Sequence, residues 1–388
     1  MKESFKPRVR RRFSTGATTF LISLLLFTVL VRCKKEPEMQ MDQQLTVNKT
    51  GINAAPAKVD IIVRRGTSIQ SAIDAAHEGS VISIQPGIYN EAVVINKKGI
   101  FLIGSGEGVV IQNPGGIENG ITVMDNANNV VIRNITVRNF GGNGILLTHV
   151  RGFLISNVTA INNGEYGIFP VYCEDGVIDH CFASGHTDTG IYVGQSKNVL
   201  ITFNKATGNV DGIEIENCTN VAATKNESFG NTGGMLVVLL PGLTVKSSAN
   251  ILLNENYIHD NNLPNFAPPG NGFEIGVPQG SGVLIVGADN VTVRDNKISN
   301  NGFVGTAVVS TLVLGSIFGL PPEAFADIEP NADGAKITGN QYVHNGFAPP
   351  PGLPLPAVDL LWDGTGINNC WKNNTYTTSY PSTLPSCF

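Results

Sequence analysis

The chain has 388 residues, 42% of them hydrophobic and 15% charged, with 44 glycines and a formal net charge of −5. That length and apolar content suffice for a large core, while abundant Gly with few charges disfavours helical bundles and favours a turn-rich all-β protein. An acidic chain has no electrostatic reason to bind nucleic acid or an anionic membrane surface, and seven Lys/Arg fall in the first 32 positions, so the remainder is more acidic still.

Residues 1–33 read as a signal peptide. "MKESFKPRVRRRF" is a basic leader, and "FLISLLLFTVLV" (20–31) is an apolar run of 12 residues, shorter than a membrane span needs. The run ends in "LVRC", where Cys33 resembles the acylated cysteine of a bacterial lipoprotein. Arg32 departs from that pattern, which has a small residue before the cysteine, so an uncleaved membrane anchor is the alternative. Residues 34–58, beginning "KKEPEMQMDQQ", read as a polar tether and 59–388 as the folded part. The expected protein is a monomer outside the cytoplasm, held to a bacterial membrane by lipid on Cys33.

"TSIQSAIDAAHEG" (67–79) carries Ile69, Ala72, Ile73 and Ala76 at the spacing of one helix face, with Thr67 or Ser68 to cap its start and Gly79 to end it. Such a short amphipathic helix suits the open end of a solenoid, which exposes apolar surface and unpaired strand edges.

Repeats begin further on. Gly-Ile pairs start at Gly144, Gly167, Gly190 and Gly212, with Gly234-Met235 next, in steps of 23, 23, 22 and 22 residues. A second mark is Asn-x4-Asn, at Asn134/Asn139, Asn157/Asn162, Asn204/Asn209, Asn226/Asn231, Asn256/Asn261, Asn296/Asn301 and Asn340/Asn345. A third is an apolar column at Ile132, Ile155, Ile178, Ile201, Ala223, Leu253, Val293 and Ile337. Short alternating runs such as "GIYV" and "GIEIE", separated by Gly and Asn, select a parallel β-helix, in which each coil pairs with its neighbours and asparagines stack as a ladder. His180 falls in the Asn phase and is expected to replace Asn in that ladder. Cys173 and Cys218 share one column with Ser196 between them, too far apart for a disulfide. Cys370 and Cys387 flank a polar loop near the end and are the candidate disulfide, with buried thiols as the alternative.

"IQSAIDAAHEGSVISIQPGIYNEAVVI" resembles the opening of pectin-lyase-like right-handed β-helices, which include pectin methylesterases and alginate epimerases. The block from "GIYVGQSKN" to "NFAPPGNG" is similar to exported bacterial parallel β-helix repeat lipoproteins. The resemblance implies a right-handed all-β solenoid and a polysaccharide partner lying in a groove on one face. It implies no particular reaction, since one fold hosts unrelated chemistries.

The irregular coils suggest where chemistry sits. "DHCFASGHTDTGIYV" brings His186 and Asp188, and the next coil, "VDGIEIE", brings Asp211, Glu214 and Glu216. Alignment on the Gly-Ile pairs turns Ile191, Val193, Ile213 and Ile215 inward, which places Tyr192 beside Glu214 on the outside. Insertions near 241–249, 262–270, 319–334 and 347–356 should wall a groove over these strands, with Glu274 of "GFEIGV" as another carboxylate on its floor. Asp188, Asp211, Glu214 and His186 are then candidate catalytic groups and Tyr192, Glu216 and Glu274 candidate substrate contacts, because paired carboxylates can act as acid and base at a glycosidic bond. Hydrolysis suits them better than lyase or epimerase chemistry, which needs Arg or Lys at a uronate. The same acids could simply solubilise a solenoid surface, and a non-catalytic scaffold or binding protein is the alternative function. No zinc pattern is present and no cofactor is required; Ca²⁺ is the cation that Asp188, Asp211 and Glu214 would suit.

Overall fold

The structure, a computed structural model, describes residues 58–353 and 355–388. The expected signal peptide, Cys33 and all but the last residue of the tether lie outside the described residues. Among these, 33 strands form three parallel sheets of 12, 11 and 10 strands, with only two α-helices. Each regular coil gives one strand to each sheet, so strands that pair are about one repeat apart in sequence. The architecture is a right-handed parallel β-helix. The apolar column expected from the sequence is a physical stack, since Ile132, Ile155, Ile178, Ile201, Ala223, Leu253, Val293 and Ile337 are successive pairing partners. All eight are buried in one core that runs the length of the helix. The repeat exists because each coil must match the next at ~4.8 Å spacing.

The 11-stranded sheet matters most for function. Its later members are β1 (Ile168–Val171), β2 (Thr189–Gly194), β3 (Asp211–Glu216), β4 (Gly233–Val238), β5 (Ser281–Val286), β6 (Val304–Val309) and β7 (Val358–Trp362), paired in that order.

Helix α1 (Ile69–Ala75) forms where its pattern predicts, with Ile69, Ala72 and Ile73 buried and the Ser68 side chain accepting from the Ser71 amide, but it ends at Ala76 rather than at Gly79. The first coil holds both of its ends. Glu91 accepts from the amides of Ile69 and Gln70 at 2.8 and 3.1 Å, and Lys97 Nζ donates to the carbonyls of Ile73, Asp74 and Ala76. An anion at the start and a cation at the end match the helix dipole. Near the other terminus Cys370 and Cys387 are disulfide-bonded. Cys173, Cys181 and Cys218 are free and buried, and the Cys173 amide donates to Ser196 Oγ, as the shared column requires.

The Asn pairs need a correction of phase. Asn134, Asn139, Asn157 and Asn162 occupy left-handed corners with φ between 51° and 64°. The interior ladders begin one residue later in the coil. One runs Asn204, Asn226, Asn256, Asn296, Asn340, Asn374; the other runs His186, Asn209, Asn231, Asn261, Asn301, Asn345 and ends on Asp359. In each full step one Oδ1 accepts both the backbone amide and the Nδ2 of the preceding coil's asparagine, as at Asn209 and Asn231. His180 is therefore a corner residue, with φ of 52° and its ring stacked on Phe203, rather than a ladder member. His186 holds the ladder place.

Candidate active site

Residues that alternate outward on β2–β7 meet a roof built from the insertions. Tyr192, Glu214, Leu236, Leu284, Ala307 and Leu361 are successive partners in one outward row, and Gly194, Glu216, Val238, Val286 and Val309 in the next. The floor thus changes from aromatic through acidic to aliphatic along the helix axis. Over it lie residues 262–280, helix α2 (Leu312–Phe318) after β6, and the segment before β7, which together with the floor line a cavity of about 280 Å³. The insertions expected to wall a groove border a pocket that is partly roofed and partly open to solvent.

The acidic end gathers five carboxylates. Asp188, Asp211, Glu214 and Glu274 are buried and Glu216 is half-buried. Oxygens of Asp188, Glu214 and Glu274 all lie within 4.8 Å of one another. Asp188 accepts from Asn271 Nδ2 at 2.9 Å. The Thr189 hydroxyl lies 3.1 Å from Asp188 and 2.8 Å from Glu214. It has one proton to give, so one of these two carboxyls must carry a proton of its own to complete the bridge. Tyr192 Oη donates to Glu216 at 2.7 Å. Both oxygens of Asp211 and Oε1 of Glu274 are buried without a hydrogen-bond partner. Two glycines make the crowding feasible, because a side chain at Gly194 would strike the Tyr192 hydroxyl and one at Gly233 would strike Asp211.

Among the described residues no Lys, Arg or His lines the chamber. Burial then dominates the electrostatics: desolvation raises Asp188 to about 6, Glu216 to about 7 and Asp211 to about 8, and lifts Glu214 and Glu274 well above the usual carboxylate range. Mutual repulsion adds to the shift at Asp211, Glu214 and Glu274. Near neutral pH the cluster therefore holds both carboxylic acids and carboxylates, the pairing that acid–base catalysis requires. Three close oxygen donors could also hold a cation such as Ca²⁺.

The structure unites Asp188, Asp211, Glu214, Glu216, Tyr192 and Glu274, but three expectations change. Glu274 sits in a 3₁₀ turn (Glu274–Gly276) of the roof, held by Asn265 Nδ2 on the carbonyls of Glu274 and Val277, not in a floor strand. Tyr192 is not an exposed substrate contact; its ring is buried, with its centroid 5.0 Å from that of Tyr166 and 4.7 Å from that of Phe169. His186 is absent from the site. It is fully buried in the ladder, with Nδ1 3.2 Å from the Asn163 carbonyl and Nε2 3.3 Å from that of Ala160, and burial lowers it to about 4. A neutral interior imidazole cannot shuttle protons at Glu214. The sequence reading did not single out Tyr166 and Asn271. Tyr166, just before β1, carries an aromatic signal, whereas Asn271 arrives from an insertion and carries none.

Comparison with known proteins agrees with this architecture. The family described as the right-handed beta helix region matches residues 119–239 and 238–374. Among solved structures, the A-module of mannuronan C-5 epimerase AlgE4 from Azotobacter vinelandii is 18% identical, with a TM-score of 0.56 over 82% of this chain and 100% of that one. The A-module of AlgE6 from the same organism is 17% identical, with a TM-score of 0.57 over 80% of this chain and 92% of that one. No curated protein sequence matches significantly. At such identities the solved structures share the fold alone, but the family match spans well over half of the residues, and the chain belongs to the right-handed β-helix family.

Proposed function

We propose that this protein is a saccharide-active enzyme that cleaves a glycosidic bond at the carboxylate cluster. One observation carries the reading: buried Asp188, Glu214 and Glu274 bring carboxylate oxygens within 4.8 Å of one another in a chamber that no Lys, Arg or His among the described residues lines. Glu214, kept protonated, gives its proton to the leaving oxygen as the glycosidic bond breaks. Asp188, ionised above about 6, attacks the anomeric carbon and forms a glycosyl ester. Glu214, now a carboxylate, then takes a proton from the water that displaces Asp188. Oxygens within 4.8 Å suit this retaining route, whose carboxyl groups stand about 5–5.5 Å apart, better than the wider inverting arrangement. Tyr192 holds Glu216, and Thr189 links the acid to the nucleophile.

The solved relatives named above are epimerases of mannuronan, a polysaccharide, which supports a saccharide as the partner. A uronate suits this site poorly, because ionised Asp188 would repel its carboxylate and, among the described residues, no Lys or Arg lines the chamber to offset it. The reading therefore favours an uncharged sugar. We further propose export and lipid attachment at Cys33, on the strength of the basic leader and the apolar run that precede it. Loss of membrane association in Cys33→Ser would support that anchor, and unchanged association would refute it.

The test of the activity is a panel of neutral glycans incubated with the full chain and assayed for new reducing ends, beside Asp188→Asn and Glu214→Gln. Turnover abolished by both substitutions supports the mechanism. Binding with no new ends favours a non-catalytic scaffold, and turnover that survives both places the chemistry elsewhere. Ca²⁺ binding that depends on Asp188, Glu214 and Glu274 would make the cluster a cation site instead.

A further inference from the structure

The chamber is much larger than the acidic cluster, and its far part has a different chemistry. Beyond Glu214 and Glu216 the floor presents Leu236, Val238, Leu284 and Val286, and the roof presents Leu314 and Leu355. These residues belong to a second apolar cluster, separate from the core inside the coils. The cavity measures about 280 Å³ and is partly open to solvent, so a ligand can reach it. An apolar cavity of about 150 Å³ already stays dry and admits benzene. The space is thus apolar, roomy and continuous with the acids.

We propose that this chamber receives an aliphatic chain, so that the substrate is a saccharide joined to an alkyl group, as in a glycolipid, and the bond cleaved is the one between sugar and chain. The inference rests on the glycosidase reading for the acidic end, and the apolar end supplies the substrate class. The side chains of the far wall offer no hydrogen-bonding group, so a second sugar ring placed there would bury its hydroxyls unpaired, whereas an alkyl chain would bury only methylenes. The row Glu214, Leu236, Leu284 then orders the substrate: sugar beside Tyr166 at the acidic end, scissile oxygen at Glu214, chain over Leu236 and Leu284.

The test uses the full chain and separates the two halves of the claim. Calorimetry with butanol, hexanol and octanol needs no sugar; affinity should rise by about fourfold per methylene. Val286→Asp on the floor and Leu314→Gln in α2 should each weaken octanol at least tenfold, while Lys205→Gln, exposed on the 10-stranded sheet, should not. Leu314 is only half-buried, so its variant stays informative where Val286→Asp fails to fold. Turnover of octyl glycosides, kept below their micelle-forming concentrations, should exceed that of the matching disaccharides. Affinity independent of chain length, or unchanged in both variants, overturns the chamber inference whatever the glycan panel shows. Disaccharides cleaved as well as octyl glycosides overturn it while leaving the glycosidase reading intact. Alkanols bound as expected with no glycoside cleaved would sink the chemistry and leave the chamber as a binding site for aliphatic chains.

Discussion

Two sets of buried polar groups face each other across β2 and β3, and they are treated in opposite ways. Inside the coils, Asn209, Asn231, Asn261 and Asn301 are fully buried, and each donates and accepts along the ladder. Outside, Asp211 under the roof and Glu274 within it are also buried, yet three of their four carboxylate oxygens lack a partner. A satisfied buried amide holds a fold together, while an unsatisfied buried acid weakens it and shifts its own proton affinity. The difference separates what builds the solenoid from what the solenoid was built to carry.

The sharpest way to break this comparison is to exchange one acid for its amide. Glu214→Gln should lower kcat by about 10²–10⁴-fold, the share expected of a general acid, without lowering the melting temperature; reducing-end assays and thermal melts read the two effects separately. Asn231→Ala should do the reverse. It leaves the Asn209 amide and the Ala206 carbonyl without their partner, which costs about 2 kcal/mol in a denaturant melt and spares turnover.

Acid titration sharpens the contrast further. Asp211 keeps its proton up to about 8 in the folded protein but loses it near 4 when unfolded. The folded state therefore binds more protons between those values, and stability falls as pH rises through them. Melting temperature should drop from pH 5 to pH 8, and Asp211→Asn should flatten that slope; a flat wild-type profile would contradict the burial of ionisable acids here. The smallest effect belongs to His186. Its lowered affinity makes the unfolded chain bind more protons below about 6.5, which weakens the fold on the acid side. His186→Asn should restore the ladder residue, change stability by less than about 1 kcal/mol at pH 7, remove that acid-side loss and leave kcat alone.

Much of this was legible in the chain. The Gly-Ile pairs and the Ile132–Ile337 column gave the coil and the register, because stacking allows one inward position to be read from the next. The asparagines misled by one residue, since Asn serves two physically distinct purposes: it tolerates left-handed corners, as at Asn157, and it pairs along interior ladders, as at Asn204. Glu274 misled because "GFEIGV" has the alternation of "GIEIEN", and a run that short cannot separate a strand from a 3₁₀ turn. The roof did leave a trace. "GGMLVVLL" and "SGVLIVG" are apolar at outward as well as inward positions, the mark of strands covered on both faces. Unpaired oxygens on Asp211 have no sequence signature, because they follow from what the neighbouring coils and the insertions bring near.

The amide ladder also has a direction. Every step donates from one coil to the next towards the C-terminus, and the last donor, Asn345, meets Asp359, whose carboxylate accepts there and from the amides of Thr377 and Thr378. A duplicated coil could be spliced in anywhere upstream, between Asn209 and Asn301, and find a donor below and an acceptor above. Beyond Asp359 a new coil would find an acceptor with nothing to offer it. Within the ladder, lengthening by duplication would move the two ends apart and leave each intact.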